Sequence, residues 1–202
     1  MKTKLLLILV ASLALTKLQA ADSPPVGAAA PDFSVADAQG KTQSVSQYKG
    51  KYVVLEWFNP ECPFVKKHYG GGNMQKLQAE FTSKGVVWLS IDSSAPGLEG
   101  SLTPETANKV ASEWKTKPTA VVLDSEGKAG KAYGAKNTPH MFVINPEGKV
   151  IYEGAIDSKR SADPADIAGA TNYVKVALDE AMSGKPVTTP SSQPYGCSVK
   201  YK

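Results

Sequence analysis

Two nearly unbroken apolar runs punctuate an otherwise mixed chain: YVVLEWF at 52–58 and GVVWLSI at 85–91. Their β-branched and aromatic content predicts central strands covered on both faces. Between them the pattern predicts a helix in two pieces. Pro63 suits a first helical position, where its missing N–H is one the helix start leaves unbonded anyway. Gly70, Gly71 and Gly72 interrupt the run, and Asn73 is placed to cap a restart in which Met74, Leu77 and Phe81 recur at helical spacing.

Downstream, Thr103-Pro104 opens a further helix with Ala107, Val110 and Trp114 on one face. TAVVLD (119–124) reads as a strand, and MFVINPEGKVIYEG (141–154) as a hairpin turning at Pro146-Glu147-Gly148. A last helix is predicted over 165–183, with Tyr173, Val176, Ala177 and Ala181 inward. Upstream, PDFSVADAQGKTQSVSQYKGK alternates around Gly40 and predicts a short N-terminal hairpin. This order implies an α/β layer fold with a mixed central sheet flanked by helices. The crossover after the first long strand is expected to be right-handed. It sets Cys62 at the C-terminal end of that strand, where open α/β sheets gather their sites. The expected domain spans 31–184. Residues 21–30 read as a flexible leader, and 185–202, with Pro186, Pro190 and Pro194, as an extended surface tail carrying Cys197.

Residues 1–20 change the charge picture. MKTKLLLILVASLALTKLQA has a basic start, an apolar run and small residues at its end, the pattern of a secretory signal, which predicts a secreted or periplasmic protein. The run is too short for a comfortable membrane span. Removing Lys2, Lys4 and Lys17 with no acid lowers the formal charge from +4 to +1, so nothing favours nucleic acid or an anionic surface. Two cysteines are too few for a disulfide scaffold but suit an exported protein with one special use for them.

The residue before a proline is biased out of the helical region, so Cys62 is expected at the N-cap with Pro63 opening the helix. The free N–H groups of the first turn and the positive helix end then favour thiolate, lowering the pKa from about 8.5. Lys66 adds a cation four residues on. From the residues alone, a Cys62–Cys197 structural staple and a buried inert Cys62 stay open beside a reactive thiolate.

The segment 31–65, the stretch GVVWLSIDSS and NTPHMFVINPEGKVIYEGAID together resemble the redoxin (AhpC/TSA, peroxiredoxin-like) branch of the thioredoxin superfamily over roughly 31–157. The resemblance implies a thioredoxin-like fold and a thiol oxidoreductase in which Cys62 attacks a peroxide or a disulfide. It makes Thr138-Pro139 the cis-proline pair beside the thiol, a backbone platform for substrate. It implies that Cys197, through the ending PYGCSVKY, resolves the product on Cys62 within one chain or between subunits, a homodimer being one arrangement. A thiol reductant is then needed, and no organic cofactor is implied. The match departs from true peroxiredoxins: their P-x-x-x-T-x-x-C motif has Leu55 and Asn59 at its proline and threonine, and Arg160 is the only arginine. Asn59, Pro63 and Lys66 remain as candidate substrate-positioning residues.

Two rival readings follow. An envelope thiol–disulfide exchange protein shares the fold and Cys62, although Val65 stands where a C-x-x-C partner would be. A copper carrier is the non-enzyme reading. Cys62, His68, His140, Met141 and Cys197 are soft donors suited to Cu(I), with Cys62, His140 and Cys197 the candidate set.

Overall fold

Residues 22–202 are described by a computed structural model, in which the run at 52–58 becomes the middle of a five-stranded sheet. The segment predicted as a signal lies outside the described residues. In chain order come β1 (Val35–Ala36), β2 (Thr42–Gln43), β3 (Val53–Trp57), α1 (Pro63–Gly70), α2 (Asn73–Ser83) and β4 (Val87–Asp92). Then follow α3 (Pro104–Glu113), β5 (Ala120–Leu123), α4 (Lys128–Ala132), β6 (Asn137–Thr138), β7 (His140–Ile144), β8 (Val150–Gly154), α5 (Tyr173–Met182) and β9 (Cys197–Ser198).

The sheet order is β5-β4-β3-β7-β8. β3 runs parallel to β4 and antiparallel to β7, so the sheet is mixed. All five β3 residues are buried. Alternation still sorts them, because successive side chains point to opposite faces. Val54 packs in one core with Trp88, Phe81 and Leu178, while Val53, Leu55 and Trp57 pack in the other with Tyr133 and Phe142. Helices therefore cover both faces, which is why the strand reads as continuous apolar sequence.

Glu56 breaks that run and is fully buried on the Val54 face. Its carboxylate accepts from Tyr69 Oη at 2.8 Å, Trp88 Nε1 at 2.8 Å, Ser90 Oγ at 2.8 Å and Gln78 Nε2 at 3.2 Å. Burial raises the carboxyl above its usual range, and the four donors oppose that shift. The acid thus ties β3 and β4 to the α1–α2 layer under the redox loop.

Several sequence expectations need correction. The leader is not free: Gly27 N donates to Val150 O and Ala30 N to Gly148 O, each at 2.8 Å, along the open edge of β8. Unpaired edge groups recruit any extended chain within reach. Asn73 does not cap α2. Gly72 does, with a φ of 70° that glycine adopts without strain, and the Asn73 amide turns to His68 Nδ1 at 2.9 Å. The last helix divides into a 3-10 turn, Pro164–Gly169, and α5. Its buried residues are Val174, Ala177 and Leu178, a face rotated from the expected one, which packs into the core with Phe81 and Tyr152. The short α4 was not anticipated.

Glu56→Ala should leave the buried donors of Tyr69, Trp88 and Ser90 without their acceptor and lower unfolding free energy by about 3 kcal/mol or more. Chemical denaturation read by tryptophan fluorescence checks it.

Candidate active site

β3 hands the chain directly to the cysteine loop. Phe58 N still pairs with Ile91 O at 3.0 Å, and then Asn59 makes the turn. Its Oδ1 accepts the Glu61 amide at 2.7 Å and its Nδ2 donates to Glu99 O at 2.9 Å. Cys62 is the N-cap of α1 with φ −69° and ψ 123°, and Pro63 follows in the first turn. The Cys62 carbonyl accepts the amides of Val65 at 3.0 Å and Lys66 at 2.9 Å.

The tail completes the site. β9 pairs antiparallel with β6, setting Cys197 opposite Thr138 and Ser198 opposite Asn137. The Thr138–Pro139 bond is cis. Asn137 Nδ2 donates to Gly196 O at 3.0 Å and Val199 N to Lys136 O at 3.0 Å. Farther along, Ala95 N donates to Lys200 O at 2.8 Å and Tyr201 Oη to Ala135 O at 2.9 Å. On the N-terminal side Ser192 is held by Glu153 O at 3.1 Å and accepts the Ala155 amide at 3.0 Å. Gly196 is required here: its φ is 128°, and a Cβ would overlap the Thr138 carbonyl oxygen. The tail does not lie free: it is laced to the domain through residues 190–201.

Both cysteines are free, and the Cys62 side chain is 0 % exposed. The Cys62 thiol donates to Thr138 O at 3.1 Å. Burial pushes its pKa up, but the Cys197 thiol, the Thr138 side chain and the amides of Cys197 and Val65 all favour the thiolate, and the balance falls below the ordinary value. The Thr138 carbonyl favours the protonated form alone, so it limits that lowering without reversing it. Cys197 moves the other way, to about 12, because burial and the neighbouring Cys62 sulfur disfavour its thiolate while Lys200 offsets little. The pair therefore holds one proton-poor and one proton-rich sulfur in contact.

Among the candidate residues, Cys62, Pro63, Thr138, Pro139 and Cys197 converge. Asn59 lies in the same loop, yet its amide is taken up by Glu99 O and the Glu61 amide and is not free to bind a peroxide. Lys66 is exposed, and the main influences on the thiol come from Cys197, Thr138 and Val65 instead. Cys62 is sealed rather than accessible, the largest departure from the expectation of an exposed thiolate. The copper set does not assemble. His140 accepts from Lys136 N at 3.5 Å and faces Glu153 Oε2 at 3.4 Å. No group of three or more His, Cys, Asp or Glu side chains suited to a metal occurs among the described residues.

Sequence reasoning missed Lys67, Asp157 and Tyr195. Lys67 is buried between two helical neighbours of the core, Asp157 follows β8, and Tyr195 precedes Cys197 by two residues. The only signal was the placement of Lys67 in the same helical turn as Val65, His68 and Tyr69, which face inward.

A profile of the AhpC/TSA family matches residues 26–153. The thiol-disulfide oxidoreductase ResA of Bacillus subtilis is 31 % identical over 154 residues, 74 % of this chain and 80 % of ResA. The crystal structure of an uncharacterized conserved protein from Geobacillus kaustophilus superposes with a TM-score of 0.78 at 28 % identity, covering 88 % of this chain and 93 % of that one. The thioredoxin domain of a thiol-disulfide oxidoreductase from Bacteroides vulgatus gives 0.52 at 25 % identity, over 65 % of this chain and 89 % of that domain. The fold is thioredoxin-like.

Gly196→Ala should unseat β9. Overlap and a strained φ together disfavour the docked tail by about 1–3 kcal/mol, so iodoacetamide should modify Cys62 roughly tenfold faster or more. In the wild type the pH midpoint of that slower reaction should lie below the free-cysteine value of about 8.5.

Proposed function

The chain belongs to the AhpC/TSA family, and from that footing we propose that it is an extracytoplasmic thiol–disulfide oxidoreductase that reduces disulfides with Cys62 and Cys197 as its dithiol. The observation that carries the reading is the antiparallel pairing of Cys197 with Thr138, against whose carbonyl the Cys62 thiol rests at 3.1 Å. A resolving cysteine normally sits one helical turn from the nucleophile. Here Val65 fills that place, buried in the core, and the tail supplies the second sulfur.

In the first step the Cys62 thiolate attacks one sulfur of a substrate disulfide. A Cys62–substrate bond forms, the substrate S–S bond breaks, and one thiolate leaves. Cys197 then attacks Cys62 Sγ and passes its proton to the departing second thiolate. The substrate gains two electrons, and the chain is left with a Cys62–Cys197 disulfide for an external thiol to reduce. In the reduced pair the Cys62 thiolate is favoured, and its charge, with burial, keeps Cys197 protonated; once Cys62 is tied up in the mixed disulfide that charge is gone, and Cys197 is freer to ionise and attack. Because Cys62 is sealed, a substrate enters when residues 195–198 lift. Thr138 and Pro139 then offer the vacated edge as the platform on which an extended substrate segment pairs. Both sulfurs come from one chain, so the cycle needs no second subunit.

Export rests on the signal-like residues 1–20, together with relatives named for thiol–disulfide exchange. No helix among the described residues is long and apolar enough to cross a membrane. Peroxide is the weaker substrate of the two, since Asn59 is occupied by backbone partners and no threonine stands in its place.

Insulin reduction with a dithiol reductant tests the reading. Wild type should turn over, Cys62→Ser should be inactive, and Cys197→Ser should stall as a mixed disulfide visible by mass. Hydrogen peroxide consumption should stay near that of an ordinary thiol. Loss of insulin turnover only in a variant that keeps Cys62 and Cys197 untouched, with both cysteine mutants fully active, would sink the assignment.

A further inference from the structure

A second buried polar cluster lies between the helix that bears Cys62 and the tail that bears Cys197, and the disulfide chemistry above makes no use of it. Lys67, five residues after Cys62, points its ammonium inward with 0 % side-chain exposure. It pairs with Asp157 Oδ2 at 3.4 Å and donates to Lys159 O at 2.9 Å. Asp157 Oδ1 accepts the Tyr195 hydroxyl and the Lys159 amide, the latter at 3.0 Å. The Tyr195 ring stands edge-on to Phe64 at 5.8 Å, and the Lys67 ammonium lies 5.8 Å from the Tyr195 centroid. His68 Nε2 faces Asp157 Oδ2 at 3.8 Å with no other partner, its Nδ1 being taken by the Asn73 amide.

Stability alone is a poor account of this cluster. Burying a lysine and an aspartate is expensive, and apolar side chains of the same volume commonly do as well or better. What apolar packing lacks is direction. A charge-assisted hydrogen bond fixes the hydroxyl of Tyr195 in distance and angle, and Tyr195 is separated from Cys197 only by Gly196. β9 itself contributes two paired residues, too few to fix a sulfur by strand pairing alone. Asp157 is attached to β8, and Lys67 to α1, so a bond from Tyr195 to Asp157 refers the tail to the same helix whose start presents Cys62.

We infer that Asp157, braced by Lys67 and bonded to Tyr195, is the positioning residue for the thiol–disulfide reaction, a latch that returns Cys197 to Cys62 after each opening of the tail. The inference rests on the reading of Cys62 and Cys197 as the working dithiol. Its reach is set by two populations: with the latch made, the reduced tail is docked and Cys197 has a high effective concentration at Cys62. With the latch broken, the reduced tail spends time away from the sulfur, whereas the oxidised form remains held by its covalent bond. Removing the latch costs the oxidised form the whole bond, because it stays docked, and costs the reduced form less, because its tail can leave, so the equilibrium moves toward the dithiol.

The experiment is equilibration of the full chain with mixtures of reduced and oxidised glutathione, where the dithiol protein plus one glutathione disulfide gives the protein disulfide plus two glutathione thiols. Tyr195→Phe keeps the ring on Phe64 and deletes only the hydroxyl. Its equilibrium constant should fall severalfold, with a ceiling of about tenfold to a hundredfold, the scale of one charge-assisted hydrogen bond, and Cys62 alkylation in the reduced form should quicken. Asp157→Asn should act in the same direction. Val122→Ala, a core change on the far face of the sheet, should lower the melting temperature and leave the equilibrium constant alone. If Tyr195→Phe lowers the melting temperature but leaves the glutathione equilibrium at the wild-type value, the cluster is structural and the latch is wrong. If wild type forms no Cys62–Cys197 disulfide at any glutathione ratio, the dithiol reading fails and takes the latch with it.

Discussion

Two residues of backbone pairing decide what this molecule can do. Where β9 lies on β6, the tail stops being a trailing segment and becomes one wall of the redox centre, with Cys197 opposite Thr138. The pairing is short, so it depends on close approach. Gly196 permits that approach, since any side chain there meets the Thr138 carbonyl. The cysteine loop depends on the same contact from the other side, because the Cys62 thiol finds its acceptor on Thr138. Take the strand away and Cys62 loses its cover and its neighbouring thiol together.

Within that frame the chemistry is a contest between burial and hydrogen bonding. A thiol removed from water resists ionisation, and a helix start with free amides favours it. At Cys62 the influences that oppose burial win: the Cys197 thiol, the Thr138 side chain and the amides of Cys197 and Val65 together hold the thiol below its ordinary value. At Cys197 they do not, since its nearest charged neighbour is the Cys62 sulfur itself and Glu99 adds to the repulsion. Two residues of the same type thus acquire opposite characters from a single contact. Attack and resolution are thereby divided between them.

How much of this could be read from the chain depended on the range of the interaction concerned. β3 and β4 were legible because burial on both faces leaves a continuous apolar run, and Thr103 announced α3 through its capping position. The N-cap place of Cys62 followed from Pro63, a constraint that acts between adjacent residues. By contrast, nothing in GKPVTTPSSQPYGCSVKYK distinguishes a docked strand from loose chain, because a two-residue strand has no period to detect. Lys67 was illegible for a related reason. Its partners Asp157 and Tyr195 are remote in sequence, and a lysine declares itself buried only when its counter-charge is known. The leader was misread for the same cause, as its partner is the β8 edge, created by the fold and not by local sequence.

Moving the second sulfur from the helix to the tail has a consequence for selectivity. In a C-x-x-C arrangement the partner thiol is held by the helix itself, so the nucleophile is always both resolved and open to solvent. Here Val65 seals the core side of Cys62 and the tail seals the other, so resolution and access become alternatives rather than companions. A small oxidant meets a sulfur with no exposed surface. A substrate that can pair with the Thr138 edge competes with β9 for the same hydrogen-bonding groups, and only such a competitor gains entry on favourable terms. When it departs, the tail reclaims the edge and brings Cys197 with it. The strength of tail docking therefore trades against turnover: too weak and the mixed disulfide lingers, too strong and the thiolate stays shut. A site built this way needs docking that can open around the cysteine alone, which a two-residue strand and the Tyr195 hydrogen bond, set between the firmer anchors at Ser192 and Lys200, provide.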